Sequence, residues 1–576
     1  MVIAVDKKKR QVELLTLFSL CVYVVVQSAA FGSGWFLADD AQQLAYVNSA
    51  ESLWTLFGAD SFALFRPIKN FLFLLFTLLA PYGVDYCRAC AVLIGMASFF
   101  PVRQLCCRCF DDELKGGVAA AVWLLSPTLV SSVAWLSCLN IQIMVAFAAM
   151  AIVAHDRSFG GNRKCCWISL SVVSTSVALL SYESAVCIPL AIIVFDLLLR
   201  PGRFRSKGAI VCYLVHLVVV ALYLVVRHQV NGVNEVMGSF ANTTRMQMAC
   251  AAPYFTLQHF LSWFWPFGRF LAFGSFSWSP AVVPLLIGSF FACLVLGVAS
   301  IVLAQKSRAL SFGILLAFIA FGPTSNLLGF GNGPYGDYYM SFASVGLSIS
   351  LTAIFFGAID MAKRGSRVPL LIAFMLLGIR VVAVAEAHHW AANWSSEINA
   401  FVESMENFPE VFSNKIVVSQ WLGDHGKYDE ALALGDEVEA VVGAESGQMS
   451  VINIVRGLHA LNVTKDADYA ISCFQKSRFL RNGKKANRHF YIGCVLEDLK
   501  HDLAGAEREY RAAIPLRWDA DTVAPANRLA RLLAIRGDFK EAVELLERAH
   551  QVNPSDMNVL RNLETARKDL SKGGRL

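Results

Sequence analysis

Apolar runs of about 15–22 residues, near the length that crosses a hydrocarbon core of roughly 30 Å, recur eleven times in the first two-thirds of the chain. They lie at 12–32, 86–102, 116–132, 138–155, 167–182, 184–199, 209–227, 282–304, 309–323, 338–359 and 368–385. Lipid offers the backbone no hydrogen bonds, so such runs form helices and the chain reads as all-α and polytopic, with about eleven spans. The 576 residues are 56% hydrophobic and 16% charged, with a mean hydropathy of +0.51. That balance excludes a single soluble domain, a disordered chain and a small disulfide scaffold. No small-residue cleavage site follows the first run, which reads as a retained helix.

Charge divides the chain. Residues 1–385 hold 26 Lys and Arg against 16 Asp and Glu, and residues 386–576 hold 24 against 28. The first part is a membrane domain (1–385), followed by a linker helix (386–411) and a charged repeat domain (412–576). A thirteen-residue apolar run at 68–80 is too short to be assigned by length. The positive-inside rule assigns it to the membrane surface. Nineteen basic residues, from Lys7–Arg10 to Arg367, then fall on the cytoplasmic side, against six (Arg66, Lys69, Arg88, Arg227, Arg245, Arg269) near the outer face. The same reasoning makes 253–273 re-entrant or juxtamembrane, puts the N-terminus inside and leaves the C-terminal domain outside.

Residues 412–570 carry an internal repeat. Gly426-Lys-Tyr-Asp-Glu-Ala431, Ala467-Asp-Tyr-Ala470, Leu503-Ala-Gly-Ala506 and Phe539-Lys-Glu-Ala542 share a final alanine, at spacings of 39, 36 and 36. The small residue suits the crossing of two helices, and the period is close to that of tetratricopeptide (TPR) repeats. Stacked pairs of this kind form a surface for a peptide or partner protein, or serve as a structural or dimerising array.

Charge near lipid is costly and marks function. Eight of the acids before residue 386 fall outside (Asp39, Asp40, Glu51, Asp60, Asp85, Glu183, Glu235, Asp337), none of them mid-helix, where a coupled carrier would need one. Asp39 and Asp40 stand directly after the first span. Position alone allows a solvated helix end or a general base. Arg380, inside the last run, reads as snorkelling to the interface in preference to approaching a phosphate. His388-His389 do not share a helical face and make a poor metal site. The Cys106-Cys107-Arg108-Cys109 cluster lacks a paired ligand set, and no Gly-rich phosphate loop or nucleic-acid patch is present.

Phe36-Leu-Ala-Asp39-Asp40, followed by Asn48, Leu56-Phe57, Asp60 and Phe65-Arg66-Pro67, resembles the first outer loop of the transmembrane and tetratricopeptide-repeat O-mannosyltransferases. Further stretches follow in order: Ser126-Pro127 with Val133-Ala-Trp-Leu-Ser137, Leu179-Leu-Ser-Tyr-Glu183 with Pro189, Pro323-Thr-Ser-Asn-Leu-Leu328, Ser344-Val-Gly346, and Trp394 leading into the repeats. The resemblance spans nearly the whole chain, though each motif is short. Three positions depart from it: Tyr182 stands for a lysine, Ala343 for a proline, and Asp337-Tyr338-Tyr339 for an Arg-Tyr pair.

The resemblance implies a GT-C glycosyltransferase that uses a polyprenyl- or dolichyl-phosphate sugar and acts on a protein acceptor, with hexosyl or mannosyl transfer to Ser or Thr. By that analogy Asp39 is the base, and Asp40 orients the acceptor or shares the role. Arg66 is the first candidate for the donor phosphate, followed by Lys69, Arg245 and Arg269, with Glu183 a further site residue. No cofactor is assigned. An aspartate pair could ligate a divalent cation as well as take a proton, so metal dependence stays open. The expected surroundings are a lipid bilayer and no nucleic acid, with a bacterial inner membrane and periplasmic repeats favoured over an ER membrane with luminal repeats. Two alternatives are a non-catalytic TPR membrane scaffold and a GT-C enzyme acting on a lipid or cell-surface glycan.

Overall fold

The computed structural model describes residues 2–32, 40–48, 50, 52–60, 64–160, 163–231, 240–241, 244–265, 276–278, 280–327, 336–396, 398–407, 409, 411–444, 446, 449–477, 484–514, 518, 522–553 and 556–573. It is helical almost throughout; a two-residue parallel pair, Phe240–Ala241 with Phe276–Ser277, is the exception among the described residues. The chain divides into two units, residues 1–40 with 57–408, and residues 41–56 with 409–576.

The first unit is an integral membrane bundle. Among the described residues eight of its helices are long and apolar enough to cross a membrane, and a ninth span is formed if the pair Glu113–Leu124 and Pro127–Ala134, bent by 60°, counts as one. The remaining two expected runs form shorter apolar helices, Ile188–Leu199 and Arg308–Phe321. The 68–80 run is the thirteen-residue helix Pro67–Leu79, started by Pro67 at its first position, where the missing N–H costs nothing. Helix Arg245–Phe264 covers the first part of the 253–273 segment, and 266–273 lie outside the described residues. Lipid-facing character is plain on Val283–Leu303, where Leu285, Phe290, Leu294, Val298 and Ile301 are exposed.

Small residues let the helices close up. A side chain at Gly313 would strike the Gly346 carbonyl at 2.6 Å, and one at Gly346 would strike the Ala317 nitrogen at the same distance. Arg308–Phe321 and Met340–Lys363 therefore pack backbone to backbone, the usual solution where apolar burial supplies no drive between helices. The Ser344-Val-Gly346 motif is thus a packing motif.

At the basic end of the bundle two buried acids gather four helix ends. The Asp156 carboxylate accepts from Arg108 (3.0 Å), Arg200 (3.3 Å) and Arg203 (2.9 Å). Asp196 pairs with Arg203 and is hydrogen-bonded by Tyr213 (2.7 Å) and His155 (2.8 Å).

The last apolar helix runs unbroken from Val368 to Asn393, so the expected boundary at 385 falls inside it, and a short helix Asn399–Asn407 follows. Apolar character ends before the helix does, because a helix of 26 residues is longer than the lipid core is thick.

In the second unit the repeat is a series of helix pairs: Phe412–Asp424 with Tyr428–Val442, Met449–His459 with Ala467–Lys476, Lys484–Asp498 with Leu503–Ala513, and Val523–Arg536 with Phe539–Val552, followed by Met557–Gly573. Ala431, Ala470, Ala506 and Ala542 each sit on the second helix of a pair and are fully buried. In the middle pairs a first-helix glycine makes room for a second-helix ring: a side chain at Gly457 or Gly493 would lie 2.5 Å from Phe474 or Tyr510.

Five residues before each of these alanines, the turn residue has a positive φ: Gly426 at 76°, Lys465 at 56°, His501 at 53° and Gly537 at 96°. The outer pairs use glycine there, whereas the middle pairs force L-residues into the left-handed region and compensate with caps. Asp466 accepts from the Tyr469 N–H (3.0 Å) and Asp502 from the Gly505 N–H (2.8 Å). Replacing Lys465 or His501 with glycine should relieve that cost, stabilising the repeats by about 0.5–1 kcal/mol each after the added unfolded-state entropy. Gly537→Ala should destabilise them by about 1 kcal/mol. Hydrogen exchange over the repeat helices of the full-length chain would show protection rising in the first two variants and falling in the third.

Candidate active site

One end of the bundle collects the loops named by the sequence motifs. Arg66 closes the first loop and caps helix Pro67–Leu79; Glu183 follows helix Lys164–Ser181. The two meet as a bidentate pair, with Arg66 Nε donating to Glu183 Oε2 (2.9 Å) and Nη2 to Oε1 (2.6 Å), and both are buried. Burial works against the charge, but the Glu183 carboxylate outweighs it and holds the Arg66 guanidinium protonated more firmly than in water. The guanidinium lies 4.5 Å over the Tyr182 ring. Tyr182 is the position where the resemblance expects a lysine, and a second cation there would repel Arg66.

Lys69, one turn into the same helix, reaches back to Asp60. Lys69 Nζ is 3.3 Å from Asp60 Oδ2, both side chains being nearly inaccessible. Asp60 Oδ1 accepts from the Leu64 N–H (3.0 Å), and Asn70 donates to the Ala59 carbonyl (3.4 Å). The loop before Arg66 is thereby clipped to the helix it precedes.

Asp40 opens helix Asp40–Asn48 and is buried, its Oδ1 accepting from the Ser137 N–H at 2.7 Å. Ser137 is the last residue of the Val-Ala-Trp-Leu-Ser stretch, so two motifs 97 residues apart are joined by a main-chain hydrogen bond to a carboxylate. Close by, Arg88 pairs with Asp85 (3.5 Å), donates to the Trp394 carbonyl (3.5 Å) and feels the charge of Asp40. Trp394 stacks on Trp135 at 5.9 Å, and Trp135 meets Tyr338 edge-on at 5.8 Å. Asp337 completes this wall: its Oδ2 accepts from Ser131 Oγ (2.5 Å) and Trp390 Nε1 (3.1 Å). His259 Nε2 in turn accepts from the Gly336 N–H (3.4 Å).

Of the residues singled out in the sequence, Asp40, Arg66, Lys69 and Glu183 lie at this end. Asp39 and Arg269 are outside the described residues, as is the side chain of Arg245. Arg66 and Lys69, expected as phosphate cations, are each already engaged by a carboxylate. Arg380 departs from the snorkelling expectation: it is only 6% exposed and donates to the Trp263 carbonyl at 2.6 Å. The sequence reading passed over Arg88, Ser131 and Ser137 as site residues. The contacts that bring them to this end, with Trp394, Asp337 and Asp40, lie 97 to 306 residues away in sequence. Among the described residues no three His, Cys, Asp or Glu side chains gather as a metal site requires.

Two neighbouring polar atoms stay buried without a partner among the described residues, Ser137 Oγ and Asn140 Oδ1.

The tetratricopeptide repeat family matches residues 523–564, the last helix pair and part of the helix that follows. Among curated proteins no sequence matches the chain. Solved structures similar to it include the archaeal oligosaccharyltransferase AglB from Archaeoglobus fulgidus, in complex with an inhibitory peptide and a dolichol-phosphate. The identity is 14% over 87% of this chain and 72% of that one, with a TM-score of 0.43. The same organism's oligosaccharyltransferase tethered to an acceptor peptide aligns over the same shares at 14% identity, TM-score 0.44. Yeast Tom70 aligns at 13% identity over 76% of this chain and 92% of that one, TM-score 0.24. Likenesses at these TM-scores leave the reading of the site to the chain's own residues.

Removing one partner of the Arg66–Glu183 pair strands a buried charge. Arg66→Met or Glu183→Leu alone should each lower stability by about 3–5 kcal/mol, while the double replacement should recover most of it. Thermal unfolding of the four members of that cycle in detergent checks the coupling.

Proposed function

We propose that the chain is a membrane glycosyltransferase of the GT-C kind. It would transfer a hexose from a polyprenyl- or dolichyl-phosphate donor to a Ser or Thr hydroxyl of a protein acceptor. What carries the reading is the meeting of the motifs: Asp40 buried against Ser137, and Arg66 against Glu183, at one end of a membrane bundle. These four residues belong to stretches that resemble the transmembrane and tetratricopeptide-repeat O-mannosyltransferases.

The chemistry asks for a carboxylate base and a neutralised leaving group. The acceptor oxygen attacks the anomeric carbon, its proton passes to the carboxylate, and the bond from that carbon to the phosphate oxygen breaks. The lipid phosphate leaves with the electron pair. Asp40, tied to a main-chain N–H, suits orienting the acceptor, which leaves proton removal to Asp39. Arg66 spends two nitrogens on Glu183, so its part is to fix the loop that ends in Arg66-Pro67 and to lend field to the phosphate; Lys69 acts likewise through Asp60. Arg245 and Arg269 are further phosphate candidates. The repeats would hold the protein acceptor on the outer face, periplasmic in a bacterial inner membrane or luminal in an ER membrane, with the N-terminus cytoplasmic.

Transfer of a labelled sugar from a panel of polyprenyl-phosphate donors to host membrane proteins tests this. Asp39→Asn should lose about 10²–10⁴-fold in rate, as expected for a missing general base. Asp40→Asn should lose less, and mainly in acceptor dependence. Equal labelling by wild type and both variants would remove the pair from catalysis. A phenotype confined to repeat-surface substitutions would then favour the scaffold reading.

A further inference from the structure

Four Lys or Arg side chains are buried among the described residues: Arg66, Lys69, Arg88 and Arg380. The first three each face a carboxylate, Glu183, Asp60 and Asp85 respectively. Arg380 faces none among the described residues. It sits inside the apolar part of Val368–Asn393, in a candidate span, where an uncompensated charge is costly. Segment 266–275, which follows its contact at Trp263, contains no acid either.

The guanidinium has five N–H donors, and one contact accounts for part of them: Nη1 donates to the Trp263 carbonyl at 2.6 Å. That carbonyl belongs to the last turn of helix Arg245–Phe264, so Arg380 caps a helix end from another helix. A half-charge of the helix dipole does not balance a whole cation. The same guanidinium lies 4.3 Å over the Trp263 ring, and the indole N–H of Trp263 is itself buried with no acceptor among the described residues. Donors that lack acceptors thus meet at one place, which is the complement of an acceptor-rich anion.

The place is next to the site. Trp263 lies one helical turn, about 6 Å, from His259, whose ring accepts from the Gly336 N–H beside Asp337. We propose that Arg380 and Trp263 hold the phosphate of a long-chain isoprenoid lipid within the membrane part of the bundle, with the lipid's head turned toward the Asp40 end. That the lipid is an isoprenoid rests on the glycosyltransferase reading. The demand for a lipid-borne phosphate rests on the unpaired guanidinium and the indole N–H.

The test is a thermal-unfolding titration of the full-length protein in detergent with undecaprenyl phosphate, against undecaprenol, phosphatidylglycerol and inorganic phosphate. Undecaprenyl phosphate should raise the Tm of the wild type and the other three should not. Arg380→Gln and Trp263→Phe, the latter keeping the ring and losing the N–H, should each weaken the apparent affinity by about tenfold or more. Arg380→Lys should keep part of it. Wild-type affinity in both Arg380→Gln and Trp263→Phe would reduce Arg380 to a helix cap and overturn the proposal. So would an equal shift with phosphatidylglycerol, or no shift with undecaprenyl phosphate. Should Arg380→Gln fail to fold, Trp263→Phe decides. Arg380-dependent binding with transfer unaffected by Asp39→Asn and Asp40→Asn would leave the phosphate site standing and remove the proposed chemistry.

Discussion

The cost of holding charge inside an apolar bundle governs this architecture. A buried cation survives against a carboxylate or a dense set of hydrogen bonds, and the chain meets that demand by pairing across distant parts of the sequence. Arg66 and Glu183 are 117 residues apart, and the pair fixes the first loop against the end of helix Lys164–Ser181. Asp60 and Lys69 fold the same loop back on its own helix. Asp156 and Asp196 do the equivalent work at the opposite end, where three arginines from different helix ends converge on them. The membrane helices between are joined by small-residue contacts such as Gly313 against Gly346, which fix distance but carry little specificity. Register at the two ends therefore falls to the ion pairs.

The repeat domain obeys a different constraint. Each pair of helices must cross closely and turn sharply, so one position must be small and another must tolerate a left-handed backbone. The small position is alanine all four times. The left-handed position is glycine only at Gly426 and Gly537, with Lys465 and His501 between them. A residue set by packing is thus kept throughout, whereas one set by backbone conformation is exchanged where an aspartate cap follows at once.

These differences explain what could be read ahead of the structure. Spans and repeats are periodic properties, and the eleven runs and four alanines were legible because each repeat of the pattern answers to the same local demand. The converging motifs were legible as a group through resemblance. Their individual partners were not: nothing near Asp40 in sequence points to the Ser137 N–H, and nothing near Asp337 points to Ser131 or Trp390. Arg380 departs from the snorkelling expectation because hydropathy gives depth but not direction, and its side chain turns to the Trp263 carbonyl and ring. The last span was placed short of its helix for a related reason, since hydropathy marks where lipid ends and Asn393 marks where the helix does.

The balance of charge at the site end links the ion pairs to the chemistry. Arg66, Lys69 and Arg88 are each offset by an acid, and the buried Asp40 and Asp337 carboxyls are held by main-chain and side-chain donors. Cations paired in this way attract an arriving phosphate less than one that stands apart from a carboxylate. In the proposed reaction separation would also help, since a base close to the leaving group's cation would be held ionised too firmly to take a proton well. The Arg380 guanidinium, over the Trp263 ring and so about a helical turn from the His259–Gly336 contact, would on the proposal above hold the phosphate apart from those carboxylates. The ion pairs that build the fold and the buried Arg380, which faces no acid among the described residues, thus answer the same cost of charge in an apolar bundle.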